Sequence, residues 1–494
     1  MKKNILSNSA SLLFSRVVQM ILQVFMGIII PKLVAPLQYG LWRSLLLITQ
    51  YNGFSNLGTY QAMSIEIPYF RGKNNLDKYS DVKNNTFYFN VIISFFLAFV
   101  LIISSFFISG ENESFYRSGF LLFSVLIISA NIADFYLQFL RAEKDFSLLS
   151  KLTVLQASVN LFLSLGLLLY FDYVLFLAFA IIISNSLLIY FAILKNGLPN
   201  FIKIRYKEIS RLISFGFPIL LSGILFELIR GIDQLLIVFF LNPEQFGYYA
   251  LAVSIQRIGY LVPGVLASTT MPYINEEYGR SSNFSEISKI YEKSLKLMSI
   301  ICSLVLVMIY IFFPLLFKYY LIEYQESVPI LNVLVIGMFS FGLLGLPGNL
   351  IAITNKTINL IKWQISTLSI SSILILITLK FNYGIFEISI ISVIMHFIYT
   401  VGNLYLGYKI YILKSKIILK KIMHLFFPYL YLLISLMLVN LFIKIEINTF
   451  IEDLVSSIIK AIVVIIMFIP ILYIYEKDLK VYNNIIDYLK SFRA

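Results

Sequence analysis

Residues 297–317 read LMSIICSLVLVMIYIFFPLLF, 21 consecutive positions without a charged side chain. A helix of this length spans about 30 Å, the thickness of the hydrocarbon core of a bilayer. Similar apolar runs recur along the 494 residues, of which 59% are hydrophobic, and the mean hydropathy is +0.86. Segments of this kind cross lipid as helices, because a helix satisfies its own backbone polar groups. The sequence therefore predicts an all-α polytopic membrane protein.

The apolar runs predict about fourteen transmembrane helices. Their expected limits are residues 10–31, 40–63, 87–109, 119–140, 152–171, 174–194, 212–240, 247–271, 297–317, 328–354, 363–379, 388–408, 422–443 and 454–475.

The distribution of basic residues predicts the orientation. Of the 39 Lys and Arg, 29 fall in the N-terminus, the even-numbered loops and the C-terminal tail, whereas the opposite side carries 5. Because cytoplasmic loops are enriched in Lys and Arg, we expect both termini in the cytoplasm. The net charge of +13 lies in these short loops, which argues against nucleic acid as a partner. We expect a multi-pass protein of the bacterial cytoplasmic (inner) membrane.

Two short segments indicate an internal repeat. Pro36-Leu37-Gln38-Tyr39-Gly40 opens span 2, and Pro243-Glu244-Gln245-Phe246-Gly247 opens span 8, 207 residues later. Six spans separate them, so both halves have the same orientation, as in transporters with parallel repeats. We therefore predict two parallel six-helix halves around a central cavity, at residues 1–195 and 212–411. A cytoplasmic linker at 196–211 and a C-terminal region at 412–494, with two additional helices and a cytoplasmic tail, complete the predicted domains.

Four arginines lie inside predicted spans, where a charge costs a few kcal/mol or more. They form two pairs with the same spacing of 27 residues: Arg16 with Arg43, and Arg230 with Arg257. The pairs are offset by 214 residues, one heptad more than the repeat, which rotates a helix by only about 20°. Guanidinium groups stay charged in dry sites and bind phosphate through two hydrogen bonds. We interpret the arginines as a substrate-binding column for an anion.

Polar neighbours extend this candidate site. Gln19 and Gln23 share the helix face of Arg16, and Tyr260 follows Arg257 by one turn; such side chains suit sugars but are also common in helix packing. Three carboxylates, Glu227, Asp233 and Asp134, are candidate ion-coupling residues. Ion pairing is an open alternative, because Glu227 and Asp233 flank Arg230 at helical spacing. Arg43 could instead extend its side chain to the membrane surface.

Signals for catalysis or for a cofactor are weak. The chain has one cysteine and two histidines without metal-ligand spacing, and no phosphate-binding loop of the Walker type. We therefore expect no metal, no cofactor and no catalytic residue. A membrane glycosyltransferase or polymerase remains the least favoured alternative, since the outward loops are too short for a catalytic domain.

Three segments resemble one known family: Ser7 through Gly40, Asp134 through Phe146 (ending LRAEKDF), and Phe217 through Ala250. On these, the chain is similar to the polysaccharide transporters, including O-antigen flippases, of the multidrug/oligosaccharidyl-lipid/polysaccharide exporter superfamily. Related flippases carry cavity cations on spans 1, 2, 7 and 8, the spans of the four arginines here.

The resemblance implies a function. It implies a flippase that moves an undecaprenyl-pyrophosphate-linked oligosaccharide from the inner to the outer leaflet by alternating access, for O-antigen, capsule or exopolysaccharide biosynthesis. Its implied partners are that lipid-linked oligosaccharide and membrane lipid, with a polysaccharide polymerase and a chain-length regulator as candidates. An ion-coupled multidrug or metabolite exporter of the same superfamily is the alternative.

Overall fold

The computed structural model describes residues 2–200, 205–281, 284–354, 356–443 and 449–479, and their regular structure is helical throughout. Residues 201–204 of the predicted linker and the predicted tail beyond residue 479 lie outside this range. Lys444, one of the five basic residues counted on the side opposite the termini, also lies outside it. The helices are α1 (Lys2–Leu33), α2 (Pro36–Asn52), α3 (Thr59–Gly72), α4 (Leu76–Phe106), α5 (Glu113–Ala142), α6 (Phe146–Phe171), α7 (Phe176–Asn196), α8 (Tyr206–Phe240), α9 (Pro243–Gly259), α10 (Leu261–Ser281), α11 (Phe284–Tyr319), α12 (Ser327–Gly342), α13 (Gly345–Ile353), α14 (Thr357–Lys380), α15 (Ile385–Tyr408), α16 (Ser415–Phe442) and α17 (Phe450–Leu479).

Twelve helical segments of the described residues are long and apolar enough to cross a membrane, with α12 and α13 counted together as one segment, Ser327–Ile353. The bent pair α9–α10 brings the number to thirteen, so the expected fourteen spans are confirmed only in part. The difference lies at span 2, which was predicted as one helix over residues 40–63. The structure has two helices there, of 17 and 14 residues.

The break in span 2 has a local cause. Leu57 and Gly58 both have positive φ, of 47° and 92°, and the Asn56 side chain accepts a hydrogen bond from the Gly58 N–H at 2.9 Å. α2 ends at Asn52, and the left-handed pair lies directly before α3, where its conformation cannot continue a helix. A Cβ on Gly58 would also lie 2.4 Å from the backbone of Gly216, so this turn touches α8 closely.

The structure forms two compact units, and each is described by itself. Unit 1 comprises Met1–Glu227 and Leu241–Gly247. In it, α5 packs against α4 and α7, and α6 packs against α1 and α7. Arg211 of α8 donates to both oxygens of Glu66 on α3, at 2.5 and 2.7 Å, and also pairs with Glu208. These contacts fix the first turns of α8, which begin within the predicted linker.

Two turns of unit 1 have the same construction. The chain reverses after α3 through Asn74 (φ 57°) and after α5 through Lys144 (φ 60°). Asn75 then caps α4 by accepting from the N–H of Lys78, and Asp145 caps α6 by accepting from the N–H of Leu148. A salt bridge between Arg71 and Glu143, at 2.7 Å, joins the two turns.

Unit 2 comprises Leu228–Phe240 and Tyr248–Ala494. Its central helix is α11, which packs against α10, α12, α16 and α17, while α15 packs against α12, α13, α14 and α16. The two additional C-terminal helices, α16 and α17, thus pack on the body of this unit. The division into two six-helix halves with a separate C-terminal region stays a prediction.

The two repeated segments meet within unit 1. A Cβ on Gly40 would lie 1.7 Å from the carbonyl oxygen of Pro243, and one on Gly247 would lie 2.1 Å from the carbonyl oxygen of Pro36. The contact is therefore reciprocal, with the glycine of each segment against the proline carbonyl of the other. Only glycine permits backbones this close, which explains the glycine in both copies of the motif.

Candidate functional site

In unit 2, the side chain of Arg230 lies among aromatic rings. Its guanidinium carbon is 5.5 Å from the ring centre of Tyr260 and 5.7 Å from that of Phe341, and these two rings meet edge to face. Tyr260 lies in the electrostatic field of both Arg230 and Arg257. The structure thus places three predicted site residues in one neighbourhood. Cation–π contacts orient a guanidinium without neutralising its charge.

Tyr260 lies at a break in the helix. The helices α9 and α10 meet between Gly259 and Leu261 with a bend of 41°. A Cβ on Gly259 would lie 1.6 Å from the sulfur of Met338, so this glycine permits α12 to approach the break. Broken helices expose backbone groups inside the membrane and are a recurrent feature of transporter binding sites.

Asp233 of α8 is almost fully buried, at 2% exposure. Its carboxylate accepts the Tyr249 hydroxyl at 2.5 Å and the Gln234 backbone N–H at 2.7 Å. It forms no ion pair with any Lys or Arg among the residues the structure describes, so it is not the partner of Arg230 there. A buried carboxylate held by neutral donors is suited to binding a proton or a small cation.

His396 is a member of this neighbourhood that the sequence did not reveal. Its ring lies 4.3 Å from the ring of Phe341, and its Nε2 lies 3.3 Å from the Ile229 carbonyl oxygen. Its Nδ1 is buried without a hydrogen-bond partner in the described part of the chain. Both Asp233 and Arg230 act on it electrostatically. Because His396 lies 163 residues after Asp233, only the tertiary fold reveals their proximity.

In unit 1, Arg16 shares its surroundings with a second cation that we had not predicted. Arg141, at the end of α5, lies in the electrostatic field of both Arg16 and Asp134. It belongs to the LRAEKDF segment on which the family resemblance rested. Its place at a helix end next to charged residues made it look like an ordinary loop arginine. Asp134 itself forms no ion pair with a Lys or Arg of the described chain.

Asp134 lines a polar pocket of about 270 Å³ at the break between α2 and α3. In the wall of this pocket, the Asn131 side chain accepts a hydrogen bond from the Asn52 amide at 2.8 Å and donates one to the Ser94 hydroxyl at 2.8 Å. The backbone carbonyl of Asn131 accepts a hydrogen bond from the Tyr60 hydroxyl at 2.9 Å. Such a network satisfies buried polar groups and rigidifies the helices that carry it. The pocket is lined by Asn52, Gly53, Ser55, Asn56, Tyr60, Gln61, Ser64, Asn131, Asp134 and Gln138.

Arg43 lies in the first half of α2, and its guanidinium carbon is 5.9 Å from the ring centre of Tyr39. Its Nε is buried without a hydrogen-bond partner in the described chain, and the same holds for Gln50 Nε2 and Ser55 Oγ. Unsatisfied buried polar atoms are rare in folded proteins and call for a ligand or water. The polar face of α2 therefore has binding capacity that the protein itself does not use.

The two repeated helices have equal length, since α2 and α9 each begin at the motif proline and contain 17 residues. In this register of 207 residues, Gln50 occupies the position of Arg257, and Gln23 that of Arg230. The corresponding positions thus carry an amide in one copy and a guanidinium in the other. The 207-residue register of the repeat is therefore one heptad shorter than the 214-residue offset between the arginine pairs.

The other predicted site residues have mixed surroundings. Gln19 donates to the backbone carbonyl of Thr153 at 3.3 Å, which ties α1 to α6. Gln23 is exposed, whereas Glu227 is intermediate in burial. No cluster of three or more His, Cys, Asp or Glu side chains suited to a metal ion occurs among the described residues.

A family profile described as "Polysaccharide biosynthesis protein" matches residues 5–277, more than half of the chain. The chain belongs to this family. The resemblance found in the sequence is thereby confirmed, and the matched region contains all four arginines. No curated protein matches the chain.

Solved structures show that this member of the polysaccharide biosynthesis family has the fold of the exporter superfamily. The lipid II flippase MurJ, in an inward closed conformation, superposes with a TM-score of 0.71 at 15% identity, covering 96% of this chain and 99% of MurJ. An inward-facing multidrug resistance MATE transporter gives 0.61 at 15% identity, covering 81% and 99%. A transporter of the superfamily from Pyrococcus furiosus, described as having a binding pocket of reversed polarity, gives 0.60 at 16% identity, covering 84% and 96%.

Proposed function

We propose that the protein is a flippase that moves an undecaprenyl-pyrophosphate-linked oligosaccharide from the inner to the outer leaflet of the cytoplasmic membrane. The observation that carries this proposal is the placement of Arg230 and Arg257 around Tyr260 at a helix break within the apolar segments of unit 2. Membership of the polysaccharide biosynthesis family supports the substrate class.

The chemistry of the site agrees with such a substrate. A pyrophosphate carries several negative charges and suits guanidinium groups, which bind phosphate oxygens through paired N–H donors. Tyrosine and phenylalanine rings beside the cations offer flat faces for a sugar. Unsatisfied donors on Arg43 and Gln50 supply further hydrogen-bonding capacity. The polyprenyl tail would stay in lipid while the headgroup crosses by alternating access.

We further propose that Asp233 couples transport to a proton or sodium gradient. Its burial and its neutral donors Tyr249 and Gln234 leave one negative charge for a cation to neutralise. Binding of that cation would alter the field at His396 and thereby the surroundings of Arg230. Glu227 and Asp134 are the other candidates for this role.

One observation favours a second candidate, the ion-coupled export of an organic cation. Asp134 lines a polar pocket and forms no ion pair within the described chain, so its charge is available to a cationic ligand. Arg141 nevertheless acts on this carboxylate, and Arg16 lies in the same field. The positive surroundings oppose a cationic drug, and for this reason we prefer the anionic lipid.

The test is transport by the purified protein in vesicles. A fluorescent undecaprenyl-pyrophosphate oligosaccharide is placed in both leaflets, and its exposure to a membrane-impermeant quencher is followed with time. We expect fast exchange in vesicles that contain the protein and slow exchange in protein-free vesicles. Inhibition by excess unlabelled polyprenyl pyrophosphate, but not by the organic cation tetraphenylphosphonium, is expected. The reverse inhibition pattern would favour the exporter.

A further inference from the structure

A groove on unit 2 is separate from the arginines described above. The helices α14 and α15 line it together with the end of α13, and its volume is about 870 Å³. Along α14 it extends from Lys356 to Ser366, and along α15 from Lys409 back to Phe397. At 1.5 Å per residue, ten residues of helix cover about 15 Å, or half the hydrocarbon thickness. The groove therefore has the depth of one leaflet.

Positive charge is concentrated at one end of this groove. Lys356, Lys362 and Lys409 line it there. None of the three forms an ion pair within the described chain, and the sequence has no Asp or Glu at residues 327–386 or 388–445. The N-terminus of α14 lies at the same end and has no side-chain cap. Free helix N–H groups and the helix dipole add to the attraction for an anion.

The remainder of the groove is apolar and has a defined shape. The Trp363 indole lies against Gly402, where a Cβ would come within 2.1 Å of the ring, and its Nε1 donates to the Tyr399 carbonyl at 3.1 Å. Val401, Ile398 and Phe397 continue the wall away from the charged end. Tyr405, near the charged end, lies 5.8 Å from the Lys409 ammonium. The indole is thus held in place while one side of it borders the groove.

We propose that this groove binds an anionic phospholipid, with the headgroup phosphate at the three lysines and one acyl chain along the wall beside Trp363. All three lysines lie at the ends of α14 and α15 that are predicted to face the cytoplasm, where anionic lipids attract basic residues. Basic pockets between membrane helices at this depth are suited to phospholipid headgroups. The bound lipid would hold α13, α14 and α15 together at the edge of unit 2.

Trp363 provides the probe, because the chain has only one other tryptophan, Trp42. The full-length Trp42→Phe protein is reconstituted in phosphatidylcholine vesicles that contain brominated phosphatidylglycerol or brominated phosphatidylcholine at equal mole fractions. We expect stronger quenching of Trp363 fluorescence by the anionic lipid. In the double variant Lys362→Gln/Lys409→Gln the preference is expected to fall by about fivefold per lysine, because each cation near an anionic surface contributes about 1 kcal/mol.

The matched control is Lys416→Gln/Lys420→Gln, which removes two exposed lysines on the same predicted side that do not line the groove. It should retain the preference. Retention of phosphatidylglycerol by the Trp42-containing protein in native mass spectrometry, and its loss in Lys362→Gln/Lys409→Gln, is a second readout that does not depend on the Trp42 substitution.

Equal quenching by the two brominated lipids, or an unchanged preference in Lys362→Gln/Lys409→Gln, would overturn the proposal. Relief of quenching by unbrominated polyprenyl pyrophosphate at a far lower mole fraction than by phosphatidylglycerol would also overturn it. The groove would then belong to the transport substrate. Lipid binding and flipping are measured separately, so either can fail while the other holds.

Discussion

At the scale of single residues, the arginines differ in how the protein holds them. Arg230 is oriented by two rings, Arg43 lies against one ring with a buried unsatisfied Nε, and Arg16 lies near a further cation, Arg141. Arg16 and Arg141 repel each other, and an anion bound near both would relieve that repulsion. This pair of neighbouring cations supports an anionic substrate.

The ring contacts of Arg230 predict the effect of a conservative change. Lysine keeps the charge but loses the planar group that fits between Tyr260 and Phe341 and that donates pairs of hydrogen bonds. We expect Arg230→Lys to slow the initial rate of flipping by about tenfold, in keeping with one desolvated cation–π contact of about 1–2 kcal/mol. Arg117→Lys, at an exposed site paired with Glu113, is the control and should flip normally. An Arg230→Lys protein with the wild-type rate would exclude a role for the guanidinium shape.

The coupling role of Asp233 is tested by Asp233→Asn, which keeps the shape of the side chain and removes its charge. We expect the variant to lose the stimulation of flipping by a proton or sodium gradient while gradient-independent exchange persists. Asp172→Asn, in the turn after α6, serves as the control, since asparagine tolerates its left-handed backbone. Full stimulation in Asp233→Asn would show that another carboxylate carries the coupling.

Sequence patterns singled out candidate residues that are unusual for their position. An arginine inside an apolar run is conspicuous, so the sequence identified all four as candidates, and their role in a site stays a prediction. Arg141 and His396 were not identified as candidates, because arginines at helix ends and single histidines are common in proteins without any functional role. Their importance comes from neighbours far away in sequence, such as Phe341 and Asp233 around His396, which only the packing of helices brings close.

At the scale of elements, the glycine crossing of the repeated segments is open to a direct test. In Gly40→Ala the new methyl group meets the Pro243 carbonyl oxygen, and α2 and α9 must separate. We expect the free energy of unfolding to fall by roughly 1–3 kcal/mol, as at other overpacked sites. Gly27→Ala, on α1 with open space around it, is the control and should be neutral or slightly stabilising. Equal stability of the two variants would contradict the crossing.

The paired turns after α3 and α5 yield a prediction about pH. Burial acts to raise the pKa of Asp145, but the Leu148 N–H and Lys195 outweigh it, so the pKa is lowered from 3.8. A lowered pKa stabilises the folded state above the unfolded value, and that stability is lost as the pH falls through the folded pKa. Asp145→Ala should therefore cost about 1 kcal/mol at neutral pH, as loss of a helix cap does, and less below about pH 4.

The matched variant for this experiment is Asn75→Ala, which removes the equivalent cap of α4. Asparagine does not titrate, so Asn75→Ala should destabilise the protein equally at neutral pH and below about pH 4. Thermal unfolding of the purified variants in detergent measures the loss of stability caused by each substitution. A pH-independent cost for Asp145→Ala would contradict the role given to its charge.

The length and apolar character of most helices were predictable, but their breaks were not. Span 2 read as continuous because apolar residues flank the turn on both sides. The signal was nevertheless present in the segment Asn52–Gly58, which reads NGFSNLG and is rich in turn residues. The break at Gly259–Leu261 also had a signal, because Pro263 follows four residues after Gly259 and has no N–H to donate to its carbonyl. Helix ends also extend beyond the predicted spans, as in α11, since polar turns continue the helix outside the membrane.

At the scale of the whole molecule, the family and the fold agree with the expectation from the sequence. The profile match places the chain in the polysaccharide biosynthesis family, and the superposition on MurJ and on MATE transporters shows a shared fold. The identities of 15% mean that fold is shared while site residues are not inferred from those neighbours. The substrate must therefore be established from the residues of this chain.

The most direct test of the flippase proposal is the rate at which Arg16→Ala and Arg257→Ala proteins flip a fluorescent undecaprenyl-pyrophosphate oligosaccharide in vesicles. At matched protein content, we expect each variant to lose most of the wild-type rate, because each removes a cation that would hold the pyrophosphate within the membrane. Arg117→Ala, which removes an exposed arginine near the start of α5, should flip at the wild-type rate. Unchanged flipping by Arg16→Ala and Arg257→Ala would contradict the assignment of these arginines to the substrate.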